Sequence, residues 1–307
     1  VSEYGILQLP GSMTPENREP LGSKRKLWFR DPNAAVPRVL FKYNRPNTGE
    51  DWSEKIASEL AQLLGLPHAA VQLASFEDER GAALVDFTDN ERFALVHGNE
   101  ILESLDSSYP KQKRYGAKSH TVDSVSSALE HFHVGLPNVP AALPNAVTDA
   151  FGMFTGYLLL DAWIGNTDRH HENWGVLRQR DQPSQTLVLA PTFDHASSLA
   201  RELGDGRRTD KGNPRQGTPV ERYAKRAMSA FYVSDGSGRQ LTTGEAFAEA
   251  AARRPKAAKE WLKRLSAISE HTVKGAVDAV PSSHMSNTAK AFACALLEQN
   301  AKLLGAR

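Results

Sequence analysis

Between residues 164 and 175 the chain reads Ile-Gly-Asn-Thr-Asp-Arg-His-His-Glu-Asn-Trp-Gly, which sets Asp168 five positions before Asn173. Phosphoryl transfer asks for a carboxylate beside the attacking hydroxyl and for oxygen ligands to the cation that bridges the phosphates. An Asp and an Asn in one short loop supply both. A further carboxylate comes from Pro191-Thr192-Phe193-Asp194. The segments 174–178 and 186–190 read as the two strands of a hairpin, with Asn173 just before the first and Asp194 just after the second. In an antiparallel pair the start of one strand lies beside the end of the other, so Asn173 and Asp194 are expected at the same end. Hard oxygen donors held this way suit Mg²⁺, which keeps waters and substrate phosphate in its shell. Taken singly, Asp168 and Asn173 also suit a turn, and Asp194 suits the cap of a helix starting at Ala196.

The adjacent histidines do not make a zinc site, because His170-His171-Glu172 lacks the His-Glu-x-x-His spacing that puts two imidazoles on one helical face. His170 is expected to brace the loop. A cation for nucleotide phosphates is offered by Lys42, near the end of the strand-like run Arg38–Tyr43. Strand alternation puts Leu40 on the same face, where it can cover a nucleobase. A strand-edge lysine facing water is the plain alternative. Its acidic partner would come from the following helix, where Glu59 falls inside the apolar stripe of Trp52, Ile56, Leu60, Leu63 and Leu64, and Glu54 lies off it. No Gly-x-x-x-x-Gly-Lys-Ser/Thr occurs. Gly22-Ser23-Lys24 can present backbone N–H groups to phosphates, form an ordinary turn, or expose Ser23 to regulatory phosphorylation.

These residues need elements to hold them. Strands are expected at Val71–Phe76, Gly81–Phe87 and Arg92–Val96, so the first hundred residues read as a small antiparallel sheet with one helix, capped by Asp51 and stopped by Gly65. Residues 1–35 read as an arm and turns, and 105–145 as a long connection with a helix near Val122–His133. Val147–Trp163 is apolar nearly all round, as a helix buried in a large core would be. Residues 195–242 lack periodicity and read as a long functional loop, and 244–307 as mostly helix. The boundary between the two parts is expected at 97–101.

Composition narrows the classes. The 307 residues carry 37 Lys and Arg against 36 Asp and Glu, a net charge of +1 that argues against a dedicated nucleic-acid binder. The single cysteine excludes an internal disulfide framework and a multi-cysteine zinc site. No apolar run approaches membrane-spanning length, since Asp161 interrupts the best one. The first residues lack the features of a signal peptide, so no membrane association and a cytoplasmic location are expected. Residues 201–307 hold 19 Lys and Arg against 11 Asp and Glu, which points an acidic partner toward that half, or simply reflects solvated helix faces.

With Asp168–Asn173, Leu189–Leu199 and Glu54–Leu66 in view, the chain resembles the HipA-like serine/threonine kinases, the toxin family of bacterial toxin–antitoxin modules. Val280-Pro281, Met285-Ser286 and the closing helix with Leu296, Leu297 and Asn300 extend the likeness from about residue 22 to the end. The resemblance implies an α+β, two-lobed protein-kinase-like fold: an N-lobe over 1–97, with an arm over 1–21, and a helical C-lobe over 98–307. ATP would lie between the lobes, with Val96, His97 and Gly98 at the hinge. Asp168 then matches the catalytic base, Asn173 and Asp194 the Mg²⁺ ligands, and Lys42 the lysine on the phosphates. The acidic partner falls on Glu54, seven residues before Ala61, rather than on Glu59. The family's substrates imply a protein Ser or Thr acceptor such as an aminoacyl-tRNA synthetase, received by the loop 195–220 with Arg201, Arg207, Arg208, Lys211 and Arg215. An antitoxin protein is the implied partner, although the chain looks like the shorter, core-kinase members. Three rivals remain: a small-molecule or phosphoinositide phosphotransferase, a non-catalytic antitoxin-binding protein, and a metallohydrolase built on the His-Asp cluster.

Overall fold

The computed structural model describes residues 2–9, 15–18, 25–30, 38–88, 92–137, 143–180, 186–210 and 218–306. Its first sheet is built from β1 (Ile6–Gln8), β2 (Pro15–Arg18), β3 (Lys26–Phe29), β4 (Val39–Tyr43), β5 (Val71–Phe76) and β6 (Glu79–Val85), in the order β1-β5-β6-β4-β3-β2. The expected arm therefore contributes two strands, and β1 pairs parallel to β5, so the sheet is not purely antiparallel. The period of two sorts β4. Val39, Phe41 and Tyr43 join Phe29 and Phe76 in an aromatic cluster on one face, while Leu40 and Lys42 turn to the other.

The helix α1 (Glu50–Leu64) lies on that second face against β5 and β6, and its far side meets the helices of the C-terminal half. Its N-cap is Gly49 rather than Asp51, whose buried carboxylate takes Arg80 at 2.7 Å instead. Gly65 ends the helix at φ 71°, a left-handed conformation in which its own N–H reaches Gln62 O and the Leu66 N–H reaches Ala61 O.

β7 (Phe93–His97) departs from expectation. It does not join the first sheet but pairs antiparallel with β8 (Gly175–Gln179), which pairs with β9 (Leu187–Leu189). The predicted hairpin is thus present, and the strand before it in space comes from the segment that runs into α2 (Gly98–Leu105). Behind it stand α3 (Val122–His131) and α4 (Ala150–Ile164), every residue of α4 being buried as its uniform hydrophobicity requires. The stretch read as one long loop over 195–242 contains α5 (Asp205–Thr209), α6 (Pro219–Lys225), β10 (Met228–Tyr232) and β11 (Gln240–Thr242). These elements are too short to print a periodicity, and Thr218 with Glu221 forms a capping box that marks the start of α6. Helices α7 (Thr243–Arg253), α8 (Pro255–Ala267), α9 (Glu270–Asp278) and α10 (Asn287–Leu303) complete the larger half around α4. No helix among the described residues is long and apolar enough to cross a membrane.

Candidate active site

A cavity of about 640 Å³ opens between the first sheet and the β7-β8-β9 sheet. It falls within the range of small-molecule sites. Its apolar wall comprises Leu40, Leu84, Leu95, Phe87 and Phe193, the last two rings lying 5.6 Å apart. Its polar wall brings together Lys42, Asp168, His170, Asn173 and Asp194.

Lys42 is buried on β4, with its Nζ 2.9 Å from Asp194 Oδ1 and 3.4 Å from Glu54 Oε2. Burial alone would lower the ammonium's pKa, but the Asp194 and Glu54 charges outweigh it and hold it above the ordinary lysine value. Glu54 Oε1 also accepts the His195 N–H at 2.7 Å, so the carboxylate ties α1 to the segment after Asp194. Glu59, the carboxylate favoured by periodicity, pairs with Lys55 instead. The reason is that α1 is sandwiched: its largest apolar stripe does not coincide with the side that faces the cleft, and Ser53, Glu54, Ala57 and Ser58 are buried too. Asp194 itself stands at φ 59°, a left-handed backbone uncommon outside glycine, and no helix begins at Ala196.

The loop carrying Asp168 and Asn173 leaves α4 through Gly165 at φ 66°. Arg169 organises it. This fully buried guanidinium spends all five N–H donors: Nε and Nη2 on the two oxygens of Asp161 (2.7 and 2.8 Å), Nη2 also on Thr192 Oγ1 (3.0 Å), and Nη1 on Asn173 O (2.5 Å) and Phe193 O (3.2 Å). One side chain thereby bridges the backbone before β8 to the backbone after β9, which holds Asn173 and Asp194 at the same end of the ribbon. The Asn173 amide nitrogen donates to Asp168 O at 2.7 Å, leaving the amide oxygen as the atom a cation can use. The sequence points to His170 as the brace of this loop; His170 holds the Glu172 N–H, but most of the bracing falls to Arg169. The signal was Asp161, a lone carboxylate in an otherwise apolar helix, which cannot be buried without a cation.

His170 is buried at the loop's inner side. Its Nδ1 accepts the Glu172 N–H at 3.1 Å, and its Nε2 lies 3.8 Å from Asp168 Oδ1. Desolvation, helped by the Arg114 charge, lowers its pKa to about 3, so it is a neutral ring. Asp168 receives two hydroxyls that the sequence did not flag: Tyr115 Oη at 3.1 Å on Oδ1 and Ser197 Oγ at 3.4 Å on Oδ2.

Of the three expected hinge residues, His97 lines the cavity and Val96 and Gly98 do not. The His97 N–H is taken by Glu100 Oε2 (3.0 Å) and the Gly98 N–H by Trp174 O (2.9 Å), because β7 runs directly into the N-terminus of α2. Gly22 and Ser23 lie outside the described residues, as do Lys211 and Arg215 of the expected substrate loop. Arg201 lines the cavity while pairing with Glu50 at 2.9 Å, Arg208 pairs with Asp205 at 2.9 Å, and Arg207 is exposed. Among the described residues no cluster of three or more His, Cys, Asp or Glu is placed to hold a metal ion.

A small sheet with one helix, a larger helical half and a cleft between them carrying a buried Lys–Glu pair define a two-lobed, protein-kinase-like fold. A family model, HipA-like C-terminal domain, matches residues 21–273, and the chain belongs to that family. The chain is 27% identical over 156 residues to the serine/threonine-protein kinase CtkA of Helicobacter pylori, a match covering 50% of this chain and 42% of that protein's length. The crystal structure of the H. pylori proinflammatory kinase CtkA superposes with a TM-score of 0.71 at 18% identity, covering 97% of this chain and 95% of that one. HipA of Shewanella oneidensis MR-1, solved with HipB and operator DNA, gives a TM-score of 0.53 at 11% identity over 96% of this chain and 68% of that one. Both structural likenesses concern the fold.

Proposed function

We propose that this chain is an ATP- and Mg²⁺-dependent protein kinase that phosphorylates serine or threonine. The observation that carries the reading is one cavity in which Lys42, tied to Glu54 and Asp194, faces Asp168 and Asn173. Lys42 stays cationic and meets the phosphates, and Glu54 keeps it from swinging back to water. Leu40, Leu84, Leu95 and Phe193 enclose an apolar slot that suits a nucleobase. Asn173 and Asp194 fit a hard divalent cation by their chemistry, two oxygen donors on a rigid ribbon end with room for phosphate and water. When bound there, Mg²⁺ supplies charge neutralisation for the β- and γ-phosphates. Asp168 orients the acceptor hydroxyl and takes its proton, a role that needs a carboxylate within hydrogen-bond reach of that hydroxyl. Arg169 does no chemistry of its own. It holds the loop so that these groups need no rearrangement as charge develops, which is where most of the acceleration in phosphoryl transfer arises.

The family membership and the name of the S. oneidensis complex support an antitoxin protein as the partner and a toxin role for the chain. The measurement that tests the enzymatic reading is transfer of labelled γ-phosphate to a mixed protein acceptor such as casein. Wild-type protein is expected to label serine or threonine in the presence of Mg²⁺. Asp168→Asn is expected to lose at least 100-fold of that rate, roughly the contribution of a positioned general base, with an unchanged circular dichroism spectrum. Wild-type-level transfer by Asp168→Asn removes Asp168 from the mechanism.

A further inference from the structure

Each oxygen of the Asp168 carboxylate accepts a hydroxyl of this chain, Tyr115 on Oδ1 at 3.1 Å and Ser197 on Oδ2 at 3.4 Å. A general base meets the hydroxyl it is to deprotonate at about 2.6–3.2 Å, the separation that Tyr115 holds. The two contacts differ in what fixes them. The Ser197 Oγ also accepts from Arg201 Nη2 at 3.2 Å, and its carbonyl accepts the Thr167 N–H at 3.1 Å, so this residue stays in place. Tyr115 lies in the connection between α2 and α3 and is 61% exposed. Gly116 behind it stands at φ 71°, a left-handed turn about which the segment can swing out without strain.

Displacing the phenol nevertheless has a cost. Arg114, the residue before it, clamps Glu172 on the loop that carries Asp168, its Nε 2.7 Å from Oε2. Asn99 holds Lys111 O at 3.2 Å, and the Tyr115 ring meets the edge of His170 at 5.4 Å. Burial of the hydroxyl and the Asp168 charge push the phenol's pKa up to about 12, so at neutral pH it keeps its proton and remains a donor. A water that takes the place of this hydroxyl restores one hydrogen bond and none of the other contacts. A protein segment that lays a serine or threonine there brings contacts of its own along the cleft, and these offset the displacement. Binding energy from remote parts of a substrate is used in this way when a site opens to one acceptor and stays closed to a smaller one.

We infer that Tyr115 is a specificity-determining residue for the phosphoryl acceptor, withholding Asp168 from water and yielding it to a protein hydroxyl. The inference rests on the kinase reading above and adds what the cleft refuses. In the refused reaction a water oxygen attacks the γ-phosphorus, and an O–P bond forms as the bond to the β–γ bridging oxygen breaks. The water's proton passes to Asp168, inorganic phosphate is released, and the nucleoside diphosphate leaves with the electron pair. A water oriented on Asp168 Oδ1 must first displace the phenol.

The test compares the full chain as wild type, Tyr115→Phe and Tyr115→Ala in two assays with MgATP: nucleoside diphosphate release without an acceptor, and transfer of labelled phosphate to casein. The readout is the ratio of hydrolysis to transfer, which a loss of folded protein does not move. Wild type is expected to transfer faster than it hydrolyses. Tyr115→Ala is expected to raise the ratio about tenfold, the effect of removing one hydrogen bond to a charged group. Tyr115→Phe, which keeps the ring, is expected to raise it as well, and Asp168→Asn added to Tyr115→Ala is expected to abolish the excess hydrolysis. A wild-type ratio in either Tyr115 variant, or an excess that survives Asp168→Asn, overturns the inference while labelled casein leaves the kinase reading standing. Wild-type hydrolysis as fast as transfer overturns it in the same way. Neither reaction in the wild-type protein overturns both.

Discussion

Arg169 shows how much one side chain can decide. A guanidinium with no water contact is tolerated only because Asp161 neutralises it and every N–H finds an acceptor. Replacing it leaves the Asp161 carboxylate buried without a counter-charge and frees two backbone carbonyls at the ribbon end. Arg169→Met is accordingly expected to lower the free energy of unfolding by about 3–5 kcal/mol, read from the urea midpoint. Asp168 and Asn173 stand out in the sequence because two oxygen-bearing side chains five positions apart in one short loop suit phosphoryl transfer. Arg169 does not, because its meaning depends on a partner eight residues back on a buried helix. Tyr115 was invisible for a stronger reason: nothing local links an exposed tyrosine to a carboxylate 53 positions away.

At the level of elements, the strand carrying Lys42 is pressed against β6 at Gly81. A Cβ on Gly81 would stand 2.3 Å from Lys42 O and 2.6 Å from the Phe41 ring, so the close approach of the two strands depends on its absence. Gly81→Ala is expected to cost about 1–3 kcal/mol by thermal or urea unfolding, as overpacking does. It is also expected to raise the KM for ATP several-fold, since the strand must shift at Lys42, the residue proposed to meet the phosphates. The long helices α1 and α4 and the β8–β9 hairpin are legible from period and turn residues, whereas the short α2, α5 and α6 are not. What failed was the assignment of faces and partners. Periodicity reports which side of α1 is most apolar, and α1 is covered on more than one side, so the stripe pointed to Glu59 while Glu54 faces the cleft. β7 reads as a strand in any context, and only its pairing with β8 says which sheet it serves.

On the scale of the whole molecule, two buried neutral histidines, His170 in the loop that carries Asp168 and His120 behind it, tie stability to pH. His120 accepts from Trp174 Nε1 at 3.2 Å through Nε2, and its Nδ1 lies 3.1 Å from Ala230 O, an arrangement that uses one ring proton. Burial lowers the pKa of His120 and of His170 to about 3, against an ordinary 6.5. Because the folded value is depressed, the stability these rings contribute is complete above pH 6.5 and is lost as pH falls toward 3. Each is expected to cost about 2 kcal/mol by pH 5, at 1.36 kcal/mol per unit. Urea midpoints at pH 7 and pH 5 measure it, and His120→Asn is expected to flatten the dependence. The remaining large-scale feature is the strap at the start of the chain. Tyr4 bonds Ala279 O at 2.7 Å and Ala276 O at 3.0 Å, β1 then runs along β5, and Arg80 on β6 reaches Ser283 O and His284 O, each at 3.0 Å. The β1 edge of the first sheet is thus sewn to the C-terminal half, while Lys42 on the inner strand β4 joins Asp194 across the cavity. Any widening of the cavity to admit the proposed nucleotide would part Lys42 from Asp194, like a book opening from its fore-edge, with the spine along residues 276–284 staying bound.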